Sequence, residues 1–164
     1  MYTEKYHLRH PEKAIEDEKE INEVISGTKF MTIAMCRDNE PYIASLNFAY
    51  DPVRKSLYFH CSPSGKKVDY LRANPSVWGI IVEDNGYVQG ACDHSYRSVQ
   101  FRGRARFLTG GEEKVEALSL LIDRLDAEPE KMKKRLLVPG RTDKVAVCRI
   151  EVDYFTGKRN APGK

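Results

Sequence analysis

Two serines, a glycine and two lysines lie close together in the segment CSPSGKK. The segment follows the strand-like run LYFH and precedes a helical pattern that ends at an Asn-Pro pair. Unpaired backbone N–H groups and the positive end of the helix dipole meet where such a helix begins, which favours a phosphate there. Lys66 and Lys67 would add positive charge to that point. The alternative is a strand-to-helix loop capped by Ser62 or Ser64, with both lysines in solvent.

Composition indicates a globular protein. The chain has 164 residues, of which 41% are hydrophobic and 31% charged. We expect one domain over residues 1–164, with residues 1–14 as an N-terminal arm and residues 159–164 as a tail. The net charge of +3 is too small to indicate nucleic acid or a membrane as partner. No apolar run approaches the ~20 residues of a membrane span, and the charged N-terminal region lacks a signal-peptide core, so a cytoplasmic location is expected.

Four cysteines, Cys36, Cys61, Cys92 and Cys148, are widely separated and form no C-x-x-C pair. They therefore indicate neither a zinc knuckle nor a disulfide framework. The pair His60-Cys61 and the run CDH that starts at Cys92 could meet at a metal ion. Because neither has the local ligand spacing of a metal site, no metal is predicted.

Elements that alternate apolar and polar residues dominate the chain. Six runs predict strands: FMTIAMC, YIASLNFAY, SLYFH, VWGIIVED before an Asn85-Gly86 turn, YRSVQFRGRARFL, and KVAVCRIEVDYF. Four segments predict helices: about Asp17 to Ser26, the segment after Ser64, the segment opened by Gly110-Gly111, and EKMKKRLLVPG. Short turns between most strands predict an antiparallel sheet, so the fold class is mainly β (α+β), a small β-barrel with peripheral helices. The absence of G-x-G-x-x-G argues against a dinucleotide-binding Rossmann fold.

The order of these elements and four local motifs resemble the FMN-binding split-barrel family of the pyridoxamine phosphate oxidase type, in its nitroimidazole-resistance-like branch. The matching pieces are PYIASLNFAYD, LYFHCSPSGKKVDYLRANPSV, YRSVQFRGRARFL with the following helix, and DYFTGK. The resemblance covers roughly Glu18 to Lys158. It implies a six-stranded antiparallel split β-barrel and a homodimer that holds FMN at the subunit interface.

The resemblance also implies a set of cofactor-binding residues. Carried over by position, Ser45, Leu46 and Asn47 would lie along the flavin ring. Ser98 and Gln100 would approach from a later strand. The remaining candidates surround the ribityl phosphate and the ring edge: His60, Ser62, Lys66 and Lys67.

A departure from the family bears on the reaction. The chain ends in TGKRNAPGK and lacks the W…R-L-x-P segment of the pyridoxamine phosphate oxidases. Those enzymes also carry a basic residue at or near the position that is Asn47 in this chain. Oxidation of the vitamin is therefore not expected.

Three functions remain open at this point. The first is an FMN-dependent oxidoreductase that passes electrons from a donor to a small aromatic or nitro-aromatic acceptor, with His60 as the residue that also touches substrate. The second is a non-catalytic FMN- or haem-binding protein for storage, sensing or trafficking. A haem would take its axial ligand from one of four histidines: His7, His10, His60 or His94. The third is an interaction domain without a ligand.

Overall fold

The computed structural model describes residues 9–138 and 140–161. Within these residues the chain forms one antiparallel sheet of eight strands, four α-helices and two short 3₁₀ turns. The strands are β1 (Ala14–Ile15), β2 (Phe30–Arg37), β3 (Glu40–Asn47), β4 (Ala49–Asp51), β5 (Ser56–Cys61), β6 (Ser76–Val88), β7 (Asp93–Phe107) and β8 (Ala146–Asn160). The helices are α1 (Glu18–Gly27), α2 (Lys66–Ala73), α3 (Gly111–Leu125) and α4 (Pro129–Leu136), and the 3₁₀ turns are Pro11–Lys13 and Thr142–Lys144. The predicted mainly antiparallel sheet with peripheral helices is confirmed.

The sheet has the strand order β3-β2-β6-β7-β8-β5-β4, and β1 pairs with β8 outside this path. The six longer strands correspond to the six predicted runs, and the structure adds the short strands β1 and β4. The end strands β3 and β4 are consecutive in the chain, joined by Phe48. In the described part of the chain they do not pair with each other, so the barrel is split rather than closed.

The break at Phe48 corrects the prediction that YIASLNFAY is one strand. Phe48 is completely buried in the core, and the chain changes its pairing partner there, from β2 before it to β5 after it. The Arg124 guanidinium on α3 lies 4.8 Å from the centroid of the Phe48 ring. It also donates to the carbonyls of Ile25 and Thr28 at the end of α1. This corner is therefore held by two helices.

The hydrophobic core fills the space inside the sheet. Its fully buried members include Ile33, Phe59, Ile81, Phe101 and Ile150, from five different strands. A second cluster lies on the opposite side of β5 and β8, where Ala117 of α3 packs against Tyr58 and Val147. Helix α3 therefore covers one outer face of the sheet.

The termini and one hairpin differ from the predictions. Ala14 of the expected arm pairs with β8, and β8 runs to Asn160, into the expected tail. Asn160 is buried, and its side chain accepts from Lys13 (2.7 Å) and donates to Asp93 (2.8 Å), which satisfies its polar groups. The predicted Asn85-Gly86 turn is wrong, because the ladder between β6 and β7 resumes beyond it after a register shift, and the chain reverses at residues 89–92.

None of the helices in the described ranges is both long and apolar enough to cross a lipid bilayer.

Candidate functional site

The split in the barrel exposes one edge of β3. This strand pairs with β2 on one side only, and its second residue is Pro41, which has no N–H to offer. Opposite this edge, β5 pairs with β4 over residues 56–58 only, so residues 59–61 lie beyond that ladder. Helix α2 begins just after them, at Lys66. We call the β3 edge, residues 59–61 and the start of α2 the split site.

The turn between β2 and β3 determines which backbone groups face the split site. Asp38 and Asn39 both have positive φ, 50° and 63°, and form a two-residue turn between the paired residues Arg37 and Glu40. In an antiparallel hairpin closed in this way, the backbone N–H and C=O groups of every second residue hydrogen-bond to the partner strand. The backbone groups of the residues between them point away from that strand.

That alternation separates the three residues predicted along the flavin ring. The backbone N–H and C=O groups of Ser45 and Asn47 point away from β2, towards the open edge. Leu46 turns its backbone groups towards β2, and its side chain is buried in the core. Of these three residues, Ser45 and Asn47 therefore offer their backbone N–H groups at the open edge of β3.

The side chains of these two residues already form hydrogen bonds, one with β2 and one with the residue just before β2. The Ser45 and Thr32 hydroxyl oxygens are 2.9 Å apart, and the Asn47 amide donates to the carbonyl of Lys29 at 3.1 Å. Both side chains lie on the outer face of the sheet. They stiffen the strand without using the backbone groups of its open edge.

The loop before α2 does not have the serine cap of the alternative interpretation. The residue at the N-cap position is Gly65, with φ of 127°, and a glycine has no side chain that could cap the helix. Ser62 and Ser64 are exposed beside it. A positive φ of this size favours glycine. The segment thus enters α2 with its first N–H groups uncapped by a side chain, and Lys66 and Lys67 are the first two helical residues.

The two lysines diverge. The Lys66 ammonium reaches β3, where it lies 2.9 Å from the Glu40 carboxylate and 5.0 Å from the centroid of the Tyr42 ring. It is also 5.3 Å from the ring centroid of Tyr70 on its own helix. Lys67 is half-buried and reaches β5, with its ammonium 5.5 Å from the Phe59 ring centroid.

His60 lies at the end of β5, next to Lys67. Partial burial of the ring, followed by the positive charge of Lys67, lowers the pKa of His60 below its usual value. The neutral imidazole is therefore the main form at pH 7, with one N–H donor and one acceptor nitrogen. Burial raises the pKa of the neighbouring Cys61 thiol, and the positive charge of Lys67 opposes this larger effect.

Ser98 and Gln100 lie elsewhere on the same molecule. They are on β7, in register with Val82 and Ile80 of β6. Their side chains share the outer face with Ser45, but β2 and β6 lie between β3 and β7. Three strand spacings place Ser45 and Gln100 roughly 14 Å apart. A single chain therefore does not bring the two predicted groups together.

Several large apolar side chains are exposed on that outer face. They are Phe30, Ile43, Trp78 and Val82, with exposed fractions of 58%, 67%, 41% and 46%. Cross-strand pairing places Ile43 beside Ala34 and Ala34 beside Trp78. The result is a continuous apolar surface over β3, β2 and β6, which we call the outer apolar face.

Sequence reasoning missed the residues that surround Lys66. Tyr70 had a local signal, because residues four apart on a helix are neighbours. Glu40 and Tyr42 had none, since they come from a hairpin that precedes α2 by more than twenty positions. Hydrogen bonds from Lys66 and then from Tyr70 lower the pKa of the Glu40 carboxyl, so it is ionised at neutral pH.

Among the described residues, no three His, Cys, Asp or Glu side chains form a group able to hold a metal ion. The split site instead offers backbone donors at one end and ammonium groups at the other. Ser45 lies three residues beyond Tyr42, or roughly 10 Å along the strand. The arrangement can hold an elongated ligand with a flat polar ring at the first end and an anionic group at the second.

The chain matches one protein family over most of its length. Residues 17–159 match the sequence model of a family described as pyridoxamine 5'-phosphate oxidase. An uncharacterized protein of Rhizobium meliloti (strain 1021) is 29% identical over 152 residues, which cover 89% of this chain and 94% of that protein.

Two solved structures have the same fold. A candidate 5-nitroimidazole antibiotic resistance protein of Bacteroides thetaiotaomicron VPI-5482 is 25% identical and superposes with a TM-score of 0.72, covering 89% of this chain and 86% of its own. An FAD and haem binding protein of Mycobacterium smegmatis is 16% identical with a TM-score of 0.77, covering 92% of this chain and 74% of its own.

Proposed function

Because the chain belongs to the pyridoxamine 5'-phosphate oxidase family, we propose that it binds FMN and acts as an oxidoreductase on a small aromatic or nitro-aromatic acceptor. The observation that carries the proposal is the split site, where the open edge of β3 ends beside the start of α2. A bound flavin would supply one- and two-electron transfer. The similarity to the Bacteroides protein supports a nitro-aromatic acceptor.

The residues of the split site match the two ends of FMN. The backbone N–H groups of Ser45 and Asn47 suit the polar edge of a flavin ring, where donors stabilise negative charge. Lys66 and Lys67 supply two positive charges for a phosphate that carries nearly two negative charges at neutral pH. Ser62 is exposed beside them as a further donor.

His60 is the proposed contact to substrate. Its neutral ring can donate one hydrogen bond to an acceptor without adding a further positive charge beside Lys67. Because His60 stays partly accessible at the end of β5, a substrate can approach its ring from solvent.

We also propose that the protein is a homodimer that completes the site. Gln100 is partly exposed and too far from Ser45 to share one flavin ring within a chain, so a second copy would bring it to the ring. Ser98 is buried beside it in the single chain and would support that strand. The outer apolar face fits such a copy, since covering exposed apolar side chains with a second protein surface removes them from water and stabilises the dimer.

Haem is the second candidate cofactor, supported by the fold shared with the FAD and haem binding protein. The histidines differ in availability. His10 and His94 lie 2.9 Å and 2.6 Å from the carboxylates of Glu12 and Asp84, and His7 lies outside the described residues. His60 is therefore the preferred axial ligand if haem binds.

Absorption spectra of the purified protein test both candidates. We expect flavin bands in the near ultraviolet and the blue, and release of FMN on denaturation, identified by chromatography against FAD and riboflavin. A single intense Soret band would favour haem. Colourless protein that also fails to quench the fluorescence of added FMN would refute the proposal.

A further inference from the structure

The ammonium that is proposed to hold the flavin phosphate is already paired within the chain. Lys66 lies 2.9 Å from a Glu40 carboxylate oxygen, above the rings of Tyr42 and Tyr70. We infer that Glu40 is a built-in competitor for the phosphate, which occupies Lys66 in the free protein and must leave when a phosphorylated flavin binds. This inference rests on the proposed function, since it assumes that Lys66 holds the phosphate.

The hairpin places Glu40 at Lys66 with little freedom in its backbone. Glu40 is the first residue of β3 and is in register with Arg37 across a turn of only two residues. Both turn residues, Asp38 and Asn39, have the left-handed conformation that such tight hairpin turns require. The carboxylate can therefore leave both Lys66 and the Tyr70 hydroxyl by rotation of its own side chain, while the strand stays in place.

Lys66 is held in the same place whichever anion it binds. The rings of Tyr42 and Tyr70 flank the ammonium at 5.0 and 5.3 Å, so they attract the cation independently of Glu40. Neither ring would need to move when a phosphate replaces the carboxylate. Phosphate is favoured in that exchange, because it carries more charge and three strong acceptor oxygens.

The exchange affects phosphorylated and unphosphorylated ligands differently. A ligand that binds only one conformation of a site has its affinity reduced by the fraction of time that the site spends in that conformation. Pairing with Glu40 therefore weakens FMN binding, because FMN needs Lys66 free. Riboflavin lacks the phosphate, so the state of Lys66 does not affect it.

Fluorescence titration of FMN and riboflavin into five proteins tests the inference. The proteins are the wild type, Glu40→Gln, Asp38→Asn, Lys66→Ala and the double variant that combines Glu40→Gln with Lys66→Ala. Asp38→Asn is the matched control, because it removes the same charge from the same hairpin, and Asp38 bonds to Arg37 (3.1 Å) instead of Lys66. Asparagine also tolerates the positive φ at that position. Circular dichroism checks that each variant is folded.

We expect Glu40→Gln to bind FMN about two- to fivefold more tightly, the range of an exposed ion pair, and riboflavin as the wild type does. Asp38→Asn should leave both affinities unchanged. Adding Glu40→Gln to Lys66→Ala should produce a smaller gain for FMN than it does in the wild type, because no lysine remains to be released.

The outcomes separate this inference from the proposed function. If the wild type binds FMN and Glu40→Gln binds it no more tightly, or if Asp38→Asn gives the same gain, the flavin proposal stands and the competition is refuted. If wild type and Glu40→Gln both fail to bind FMN, both proposals are refuted.

Discussion

Gly79 provides a direct test of how tightly the barrel interior is packed behind the outer apolar face. A methyl group at this position would lie 2.1, 2.5 and 2.7 Å from three carbon atoms of the Phe101 ring, which pairs with Gly79 across β6 and β7. Normal carbon contacts are about 3.5–4.0 Å, so the ring would have to retreat by roughly 1.4 Å. Phe101 is completely buried and has Phe155 beside it at a centroid distance of 6.3 Å. The ring therefore has little space to move into.

We expect Gly79→Ala to destabilise the protein by about 1–3 kcal/mol, the usual cost of adding a methyl group to a packed core. For a chain of this size that corresponds to a fall in melting temperature of roughly 2–12 °C. Thermal unfolding followed by circular dichroism measures it. Gly27→Ala is the control, because the added methyl group would meet only a Glu83 carboxylate oxygen at 3.8 Å.

A double-mutant cycle identifies the cause. Phe101→Leu shortens the side chain that Gly79→Ala would collide with, so the double variant should be more stable than the sum of the two single effects predicts. Unfolding of Gly79→Ala at the wild-type temperature, or strict additivity in the cycle, would show that this contact does not limit the packing.

Three further predictions concern the cofactor, the dimer and pH. Joint substitution of Lys66→Ala and Lys67→Ala should weaken FMN binding far more than riboflavin binding in a fluorescence titration; equal losses would show that the lysines do not hold the phosphate. Trp78→Glu should shift the proposed dimer towards monomer in light scattering, whereas Val53→Glu, at an exposed turn, should not. Burial raises the pKa of the Cys148 thiol to about 12, so the folded state holds this proton more tightly and stability falls as pH rises above about 9. Denaturant unfolding at pH 8 and 10 should show about 1.4 kcal/mol more loss in the wild type than in Cys148→Ala, and equal losses would refute this.

The elements were predictable from sequence because their signals are local. Alternation of apolar residues identified each of the six longer strands, and Asp17 marks the start of α1, where its side chain accepts from the Lys19 N–H at 2.9 Å. Gly103 lies inside the alternating run of β7, where a glycine often marks a bulge or the close approach of another backbone. The structure has a register shift beside it, and a methyl group there would lie 2.4 Å from the Glu151 carbonyl oxygen. A steric requirement of this kind restricts the position to glycine, so it can be recognised in the sequence.

Features that depend on distant partners left no such mark. The Asn85-Gly86 pair is a strong turn signal, yet the Asp84 carboxylate accepts from the Gly86 N–H at 2.8 Å and the strand continues. What decides the outcome is the pairing of Tyr87 with His94 on the returning strand. The corner at Phe48 is similar, because an alternating run looks continuous until the core residue that divides it is known.

The candidate site illustrates the same limit in a more useful form. Lys66 and Lys67 are adjacent and identical in type, yet one reaches Glu40 on β3 and the other lies over Phe59 on β5. Their difference arises because α2 begins between the open edge of β3 and residues 59–61 of β5. An unpaired strand edge usually promotes association with other chains. Here Pro41 removes one N–H from that edge and α2 begins beside it, so the donors of Ser45 and Asn47 remain available within a confined stretch. The split that leaves the barrel open is thus the same feature that would let it bind a cofactor.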